Sequence, residues 1–196
     1  MIGSALATLG GRFVLLRPLA LADVGEMQAV AAGPRETFTW THVPTPEEVP
    51  EYVSGAVAEM EAGRALVFAT CLASGELVGC TRFFDFQSWT REVDACEIGY
   101  TWLAQKAQRT PVNTEAKLLM LAHAFETWRC VRVTLKTDER NQRSRRAIER
   151  LGAHLDGILR AYQQGADGAP RNTAYYTILA GEWPEVESGL LGLLAR

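Results

Sequence analysis

The sequence is poor in the residues that build metal centres and disulfide frameworks. It has four cysteines and three histidines among 196 residues. Cys71, Cys80, Cys96 and Cys130 show no C-x-x-C spacing, and each lies in or beside an apolar, strand-like run. They read as reduced core residues of a cytoplasmic protein rather than as a zinc site or disulfides. His42, His123 and His154 are scattered, and His123 reads as a hydrogen-bonded core residue of a buried helix. No metal is expected. No apolar run is long enough to span a membrane, and the opening MIGSALATLGGR lacks the basic region of a leader. Positive charge is not in excess: 20 Lys and Arg face 23 Asp and Glu, for a net charge of −3. That argues against a general partner for nucleic acid or anionic membrane. There is no internal repeat, no low-complexity tract, no linker and no G-x-x-x-x-G-K-[ST] run. What remains is 47% hydrophobic and 22% charged, an ordinary globular composition with length enough for a substantial core. One domain over residues 1–196 is expected.

The chain is organised around Glu97 to Phe125. Its first half, Ala95 to Leu103, alternates Cys96, Ile98, Tyr100 and Trp102 against Ala95, Glu97, Gly99, Thr101 and Leu103, the pattern of a strand. Its second half is a helix with Thr110 as N-cap and Pro111 at the first helical position, where a missing N–H costs nothing. From Leu118 to Phe125 this helix is apolar almost all round and is expected to be buried on more than one side. The N–H groups of Val112, Asn113 and Thr114 would then leave the helix end unpaired, with the positive end of the helix dipole, and phosphate is the usual occupant of such a site. A plain β-α connection reads the same way.

A second block, Val131 to Gly152, repeats the plan. A strand with Val131, Val133 and Leu135 on one side leads into a helix with Asn141 as N-cap and Gly152 as its stop. Ser144, Ala147, Ile148 and Leu151 share one face, so Ser144 is turned inward. Arg140, Arg143, Arg145, Arg146 and Arg150 cluster here, either as a solvated helix face or as a polyphosphate contact.

The remaining elements follow in order. Arg12 to Arg17 is a strand, ended by Pro18. Leu21, Val24, Met27 and Ala31 mark a helix stopped by Gly33-Pro34. A loop, Glu36 to Pro44, carries Phe38 and Trp40. Thr45-Pro46-Glu47-Glu48 is a capping box before the stripe Val49, Tyr52, Val53, Ala56, Val57 and Met60, with Pro50 bending or delaying the first turn. Leu66–Leu72 and Leu77–Phe86 form a hairpin about Ser74-Gly75. His154–Tyr162 and Asn172–Leu179 form another. Pro184 to Leu194 reads as a closing helix with Val186, Leu190, Leu191 and Leu194 on its apolar side.

The order β–loop–α, then β–N-x-x-S-x-x-A-I-x-x-L-G, resembles the GNAT superfamily of acetyl-CoA-dependent N-acetyltransferases. The runs Val112-Asn113-Thr114-Glu115-Ala116-Lys117-Leu118-Leu119 and His123-Ala124-Phe125-Glu126 carry the likeness further, as does the tail Asp167-Gly168 … Tyr176-Thr177-Ile178-Leu179 … Glu182-Trp183-Pro184. They resemble the branch of ribosomal-protein N-terminal acetyltransferases of the RimJ/RimL type, and the match runs from Leu15 to Pro184. The resemblance implies an α/β fold of the α+β type. Its central sheet is mixed and mostly antiparallel, with helices on both faces. Strands four and five are splayed, and acyl-CoA lies in the gap.

The resemblance also implies roles. The loop Gln108, Arg109, Thr110, Pro111, Val112, Asn113 and Thr114 would hold a pyrophosphate through backbone N–H groups. Thr101, Trp102 and Leu103 would pair with the pantetheine arm and offer an N–H to the thioester oxygen. Asn141 matches the family position that contacts the arm, and it is equally a plain N-cap. Ser144 matches the position of an acid toward the CoA sulfur, and it is equally a small residue for packing. Arg146 or Arg145 would meet the adenosine end. Glu97 is the candidate base, relaying a proton through water, with Asp156 as a second candidate. Phe38, Trp40, Phe84 and Tyr176 would wall the acceptor, although each reads as core taken alone. Pro111 stands where the family has glycine, Asn113 where it has a small residue, and Asn172 where relatives carry Asp. The implied reaction is acetyl transfer from acetyl-CoA to a primary amine by direct attack in a ternary complex, with a protein N-terminus, a polyamine, an amino sugar or a drug amine as acceptor. A non-catalytic acyl-CoA-binding or sensing module of the same fold is the alternative. Relatives often dimerise, and the Leu190, Leu191 and Leu194 side would suit a homodimer or the protein's own core.

Overall fold

The computed structural model describes residues 8–195, so the first seven residues of the leader reading lie outside it. Eight strands form one sheet in the order β1-β2-β3-β4-β5-β6-β8-β7. They are β1 (Leu9–Gly10), β2 (Val14–Pro18), β3 (Ala65–Leu72), β4 (Leu77–Gln87), β5 (Ala95–Leu103), β6 (Arg132–Asp138), β7 (His154–Gln164) and β8 (Pro170–Leu179). Among the described residues five α-helices complete the fold: α1 (Val24–Ala31), α2 (Val49–Glu61), α3 (Pro111–Ala122), α4 (Gln142–Arg150) and α5 (Trp183–Leu194). The two-residue β1 is the one strand the sequence reading did not contain, so the strands expected as four and five are β5 and β6.

Two apolar layers sandwich the sheet. On one face Val14, Leu16, Phe68, Phe83 and Ile98 pack with Val112, Met120 and Leu121 of α3 and with Val186 and Leu190 of α5. On the other, Val67, Ala69 and Trp102 pack with Met27 of α1 and with Val49 and Val53 of α2. The alternation along each strand decides which layer a side chain enters. Leu21 and Leu191, read from the sequence as inward, are instead 59% and 51% exposed. Leu21 falls in a 3-10 turn before α1, and Leu193 rather than Leu191 packs on the core. Val131 precedes β6 and stays at the surface.

Local signals act as the chemistry requires. Thr110 caps α3 by accepting from the Val112 N–H at 3.3 Å, with Pro111 at the first position. Pro50 delays α2, whose regular part starts at Val49 although the Val49 N–H already reaches the Thr45 carbonyl at 3.1 Å. Glu48 makes its half of the box, accepting from the Thr45 N–H at 2.8 Å. Gly152 takes φ +93° to end α4. Glu115 of α3 accepts the N–H groups of Arg12, Phe13 and Val14 at 2.8, 2.6 and 2.8 Å and so fastens the start of β2. A side chain at Gly11 would strike that carboxylate, since a Cβ there would lie 2.4 Å from Glu115 Cδ.

The feature that positions the site is a split in the sheet. Every neighbouring pair is antiparallel except β5 and β6, which run parallel through Ala95–Arg132, Cys96–Val133 and Glu97–Thr134 and then part. Beyond that point β6 continues on β8 as far as Asp138–Thr173, while β5 continues on β4 as far as Leu103–Gly79. Each therefore presents an open edge toward the other. The β5 edge is further shaped by a bulge: Arg82 pairs Gly99 but Cys80 pairs Trp102. Tyr100, at φ +50°, is the residue that absorbs the extra length.

Candidate active site

The split opens into a cleft of about 1840 Å³, floored by β4, β5 and β6 and walled by the starts of α3 and α4, the loop around Trp40 and the β7–β8 turn. Of the residues singled out from the sequence, Phe38, Trp40, Phe84, Glu97, Thr101, Trp102, Leu103, Gln108, Arg109, Thr110, Asn113, Thr114, Asn141, Ser144 and Arg146 all line it.

One half of the cleft is built for anions. Arg143 and Arg150 of α4 reach across the mouth of the split to Gln108 before α3 and to Thr114 on its first turn. Arg109, Arg143, Arg146 and Arg150 line this half, and among the described residues none of the four makes a salt bridge. Arg150 donates to Thr114 Oγ1 at 3.2 Å, and Arg143 donates to the Thr37 carbonyl and to Gln108 Oε1. Burial, then the neighbouring charge of Arg109, pushes the Arg143 guanidinium below its ordinary range. Four guanidinium groups at a helix N-terminus without a counter-charge form a site for a polyanion. Asn113 Oδ1 is buried and has no hydrogen-bond partner among the described residues.

The backbone donors expected from this loop are fewer than the sequence reading held. The Val112 N–H is taken by the Thr110 cap, and the Gln108 N–H closes a turn on the Gln105 carbonyl at 3.1 Å. Asn113, at the third helical position, keeps a first-turn donor. The Gln108 side chain ties the wall together instead, donating to the Leu103 carbonyl at 2.8 Å and to Thr37 Oγ1 at 3.0 Å. Asn141 caps α4, its Oδ1 accepting from the Ser144 N–H at 3.0 Å. Its NH₂ group remains. Ser144 sits half-buried on the wall, and its hydroxyl makes no hydrogen bond with the described residues.

The bulge corrects the facing of β5. Thr101 does not share a side with Glu97 and Gly99, because the extra residue at Tyr100 turns it toward α3, where Lys117 Nζ donates to its hydroxyl at 2.7 Å. Trp102 is turned the other way, into the α1–α2 layer, with Phe38 edge-on at 6.4 Å. Close approach at this point needs a glycine: a Cβ on Gly79 would lie 2.1 Å from the Trp102 carbonyl oxygen.

The other half of the cleft is aromatic and mixed in charge. Phe84 meets Tyr100 at 5.1 Å, Arg82 lies over the Tyr100 ring at 4.3 Å, and Trp40 carries Arg140 on its face at 4.0 Å. Arg140 is held in turn by Asp138 and Asp167, each at 2.7 Å, which joins the Trp40 loop to the β7–β8 turn. Glu97 is buried and paired with Lys136 Nζ at 2.7 Å. Burial raises the Glu97 pKa, and the Lys136 bond opposes that rise without cancelling it.

Further expectations are not met. Tyr176 is fully buried away from the cleft, accepting from Arg145 Nε at 2.9 Å and donating to Glu149 Oε1 at 2.8 Å, so it is core and Arg145 with it points away from the cleft. Asp156 lies on β7 outside the cleft and accepts from Thr177 Oγ1 at 3.1 Å. His123 is only half-buried and makes ring contacts, with Trp128 at 4.6 Å and Phe83 at 6.2 Å. The four cysteines are free and buried. The sequence reading passed over Tyr100, Arg82 and Lys117. Only Lys117 left a signal, a lysine three residues before Met120 on the buried face of α3.

Among the described residues no group of three His, Cys, Asp or Glu is placed to hold a metal ion, and no helix is long and apolar enough to cross a membrane. Residues 14–154 match the family model of the acetyltransferase (GNAT) domain. A comparison with curated proteins finds no match. Among solved structures, a GCN5-related N-acetyltransferase from Brucella melitensis superposes with TM-score 0.85 at 26% identity over 97% of this chain and 86% of its own. RimJ of Mycobacterium smegmatis, solved in complex with CoA-disulfide, superposes with TM-score 0.82 at 25% identity over 96% and 95%. A ribosomal-protein-S5-alanine acetyltransferase from Vibrio fischeri shares the fold, with TM-score 0.72 at 15% identity over 90% and 98%. The split sheet with its arginine-lined mouth is thus the scaffold of an acyltransferase, and the chain belongs to the GNAT acetyltransferase family. It is an N-acetyltransferase of that family, and RimJ is among its structural neighbours.

Proposed function

We propose that the protein binds acetyl-CoA across the split and transfers the acetyl group to a primary amine, with a protein N-terminus as the acceptor class. The observation that carries this reading is the set of four guanidinium groups around the start of α3 that make no salt bridge among the described residues. Arg109, Arg143, Arg146 and Arg150 fit the phosphates of CoA, and the Asn113 N–H adds a helix-end donor. Pro111 is accommodated at the first helical position. The open β5 edge at Thr101–Leu103 receives the arm, with Asn141 in the same cleft lining. Acetyl-CoA supplies an activated thioester.

Ser144 Oγ is the proton donor for the leaving sulfur. A thiol of pKa about 8.5 is a fair leaving group, so a hydroxyl suffices. Glu97 takes the amine proton through water. Its net upward shift suits a base working toward neutral pH, and Lys136 holds it in place. Phe38, Trp40, Phe84 and Tyr100 enclose the acceptor end. RimJ and the ribosomal-protein acetyltransferase among the structural neighbours support a protein N-terminus, whose α-amino pKa of about 7.7–8.0 leaves a useful neutral fraction. The cytoplasm is the compartment this reading implies, and one domain holds the whole site. The test is thiol release from acetyl-CoA with a panel of N-terminal peptides, polyamines and amino sugars. Release with a peptide and not with the small amines supports the acceptor class, and release with none of them overturns it.

A further inference from the structure

Beneath the β5 bulge lies a charged side chain that the reaction above does not use. Lys117 stands on the second turn of α3 and is 4% exposed. Its Nζ donates to Thr101 Oγ1 at 2.7 Å and to Thr81 Oγ1 at 2.9 Å, and the two hydroxyls lie 2.8 Å apart, so the three atoms close a triangle. Among the described residues no carboxylate pairs with it. A lysine this deep has lost its water and gained no counter-ion, and burial pushes its pKa down to about 7. Methionine or leucine would fill the same space at less cost, with Met120 already alongside Thr81 at 3.8 Å.

The triangle stands where the β4–β5 register skips. Thr81 lies between Cys80, which pairs Trp102, and Arg82, which pairs Gly99, so it faces both Tyr100 and Thr101. The left-handed turn at Tyr100 brings the Thr101 hydroxyl to the α3 side, into an otherwise apolar layer. Lys117 provides donors for both threonine oxygens and ties α3 to the two strands at the bulge. Lys117 and Thr101 both line the cleft.

We propose that Lys117 is a positioning residue for the acyl-CoA arm: acting through Thr101 and Thr81, its amine fixes the bulge that sets the course of the Thr101–Leu103 backbone along the open β5 edge. The proposal rests on the acetyl-CoA reading of the cleft and deepens it. It separates two ends of the cosubstrate. The phosphates meet arginines on α3 and α4 and the loop before α3, whereas the arm meets a backbone whose course Lys117 maintains.

Lys117→Met tests this with two probes, acetyl-CoA and adenosine 3′,5′-bisphosphate, the second of which carries phosphates without the arm. Calorimetry on the full chain should find acetyl-CoA weakened about tenfold, the bisphosphate unchanged and the melting temperature unchanged or higher. Thr101→Val should weaken acetyl-CoA likewise, and the double variant should lose no more than either single one, because both act through one contact. Unchanged acetyl-CoA affinity in Lys117→Met would overturn the proposal. So would equal loss for both probes with a lower melting temperature, the mark of a purely structural lysine. If the unaltered protein binds neither probe, the acetyl-CoA reading itself fails, and that result is distinct from the other two.

Discussion

The two halves of the cleft are built by opposite means. The cofactor half is local: Thr110, Pro111, Asn113 and Thr114 are consecutive or nearly so, and Asn141, Arg143, Ser144, Arg146 and Arg150 fall within ten residues. The acceptor half is assembled from afar. Arg82 of β4 meets Tyr100 of β5, Glu97 meets Lys136 of β6, and Trp40 meets Arg140. Caps and helix ends tolerate change elsewhere in the chain, whereas cross-sheet pairs need the whole sheet in register. A family can hold one cosubstrate constant with the first kind of construction and vary its acceptors with the second.

The comparison can be broken at several points. Ser144→Ala should lower kcat by about a hundredfold, the low end for loss of a general acid, and leave the KM for acetyl-CoA unchanged. Stopped-time thiol release measures both, and an unaltered kcat would make Ser144 a packing residue. Arg146→Ala with Arg150→Ala should weaken acetyl-CoA by roughly thirtyfold to a hundredfold, about 2–3 kcal/mol for two phosphate contacts, with the fold intact. Equal affinity in that variant would remove the arginines from the cofactor half.

Across the cleft, Glu97→Gln should destabilise the protein by about 3 kcal/mol, because it leaves the mostly buried Lys136 with only the longer 3.9 Å pair to Asp85. Adding Lys136→Met should restore the melting temperature. Activity separates the roles: if Glu97 only balances Lys136, the double variant regains turnover, and if Glu97 takes the amine proton, it does not.

A further effect is one of pH. Lys117 binds its proton more weakly in the folded protein, near pH 7, than in the unfolded chain, near 10.5. Between those values the unfolded state holds more protons, so this lysine makes stability rise with pH by up to about 1 kcal/mol per unit. Below pH 7 its cost is fully present. Lys117→Met should remove that slope, seen as denaturant midpoints of the two proteins that converge from pH 7 to pH 10.

Legibility in the sequence follows the same division. Strand and helix order, the Thr110 and Asn141 caps, the Gly152 stop and the splay of β5 from β6 were readable, because period and capping are local and the resemblance supplied the split. The bulge was not. A strict alternation from Ala95 to Leu103 put Thr101 beside Glu97, and nothing in the run Gly99-Tyr100-Thr101 marks a left-handed tyrosine. Tyr176 was misplaced for a related reason: an aromatic on an alternating strand has two faces to choose from, and the Arg145–Glu149 pair that receives its hydroxyl lies on a helix some thirty residues earlier. Lys117 went unread because lysine is usually a surface residue. Its burial depends on two threonines, at 81 and 101, that only the sheet brings together.

The central claim is that this cleft holds a CoA thioester by its phosphates at the α3–α4 mouth. Isothermal titration of acetyl-CoA into the full chain at two salt concentrations tests it most directly. The account predicts saturable one-to-one binding that weakens as salt screens the four arginines, with ATP a poorer ligand. Absence of saturable heat at millimolar acetyl-CoA, or an affinity indifferent to salt, would contradict it.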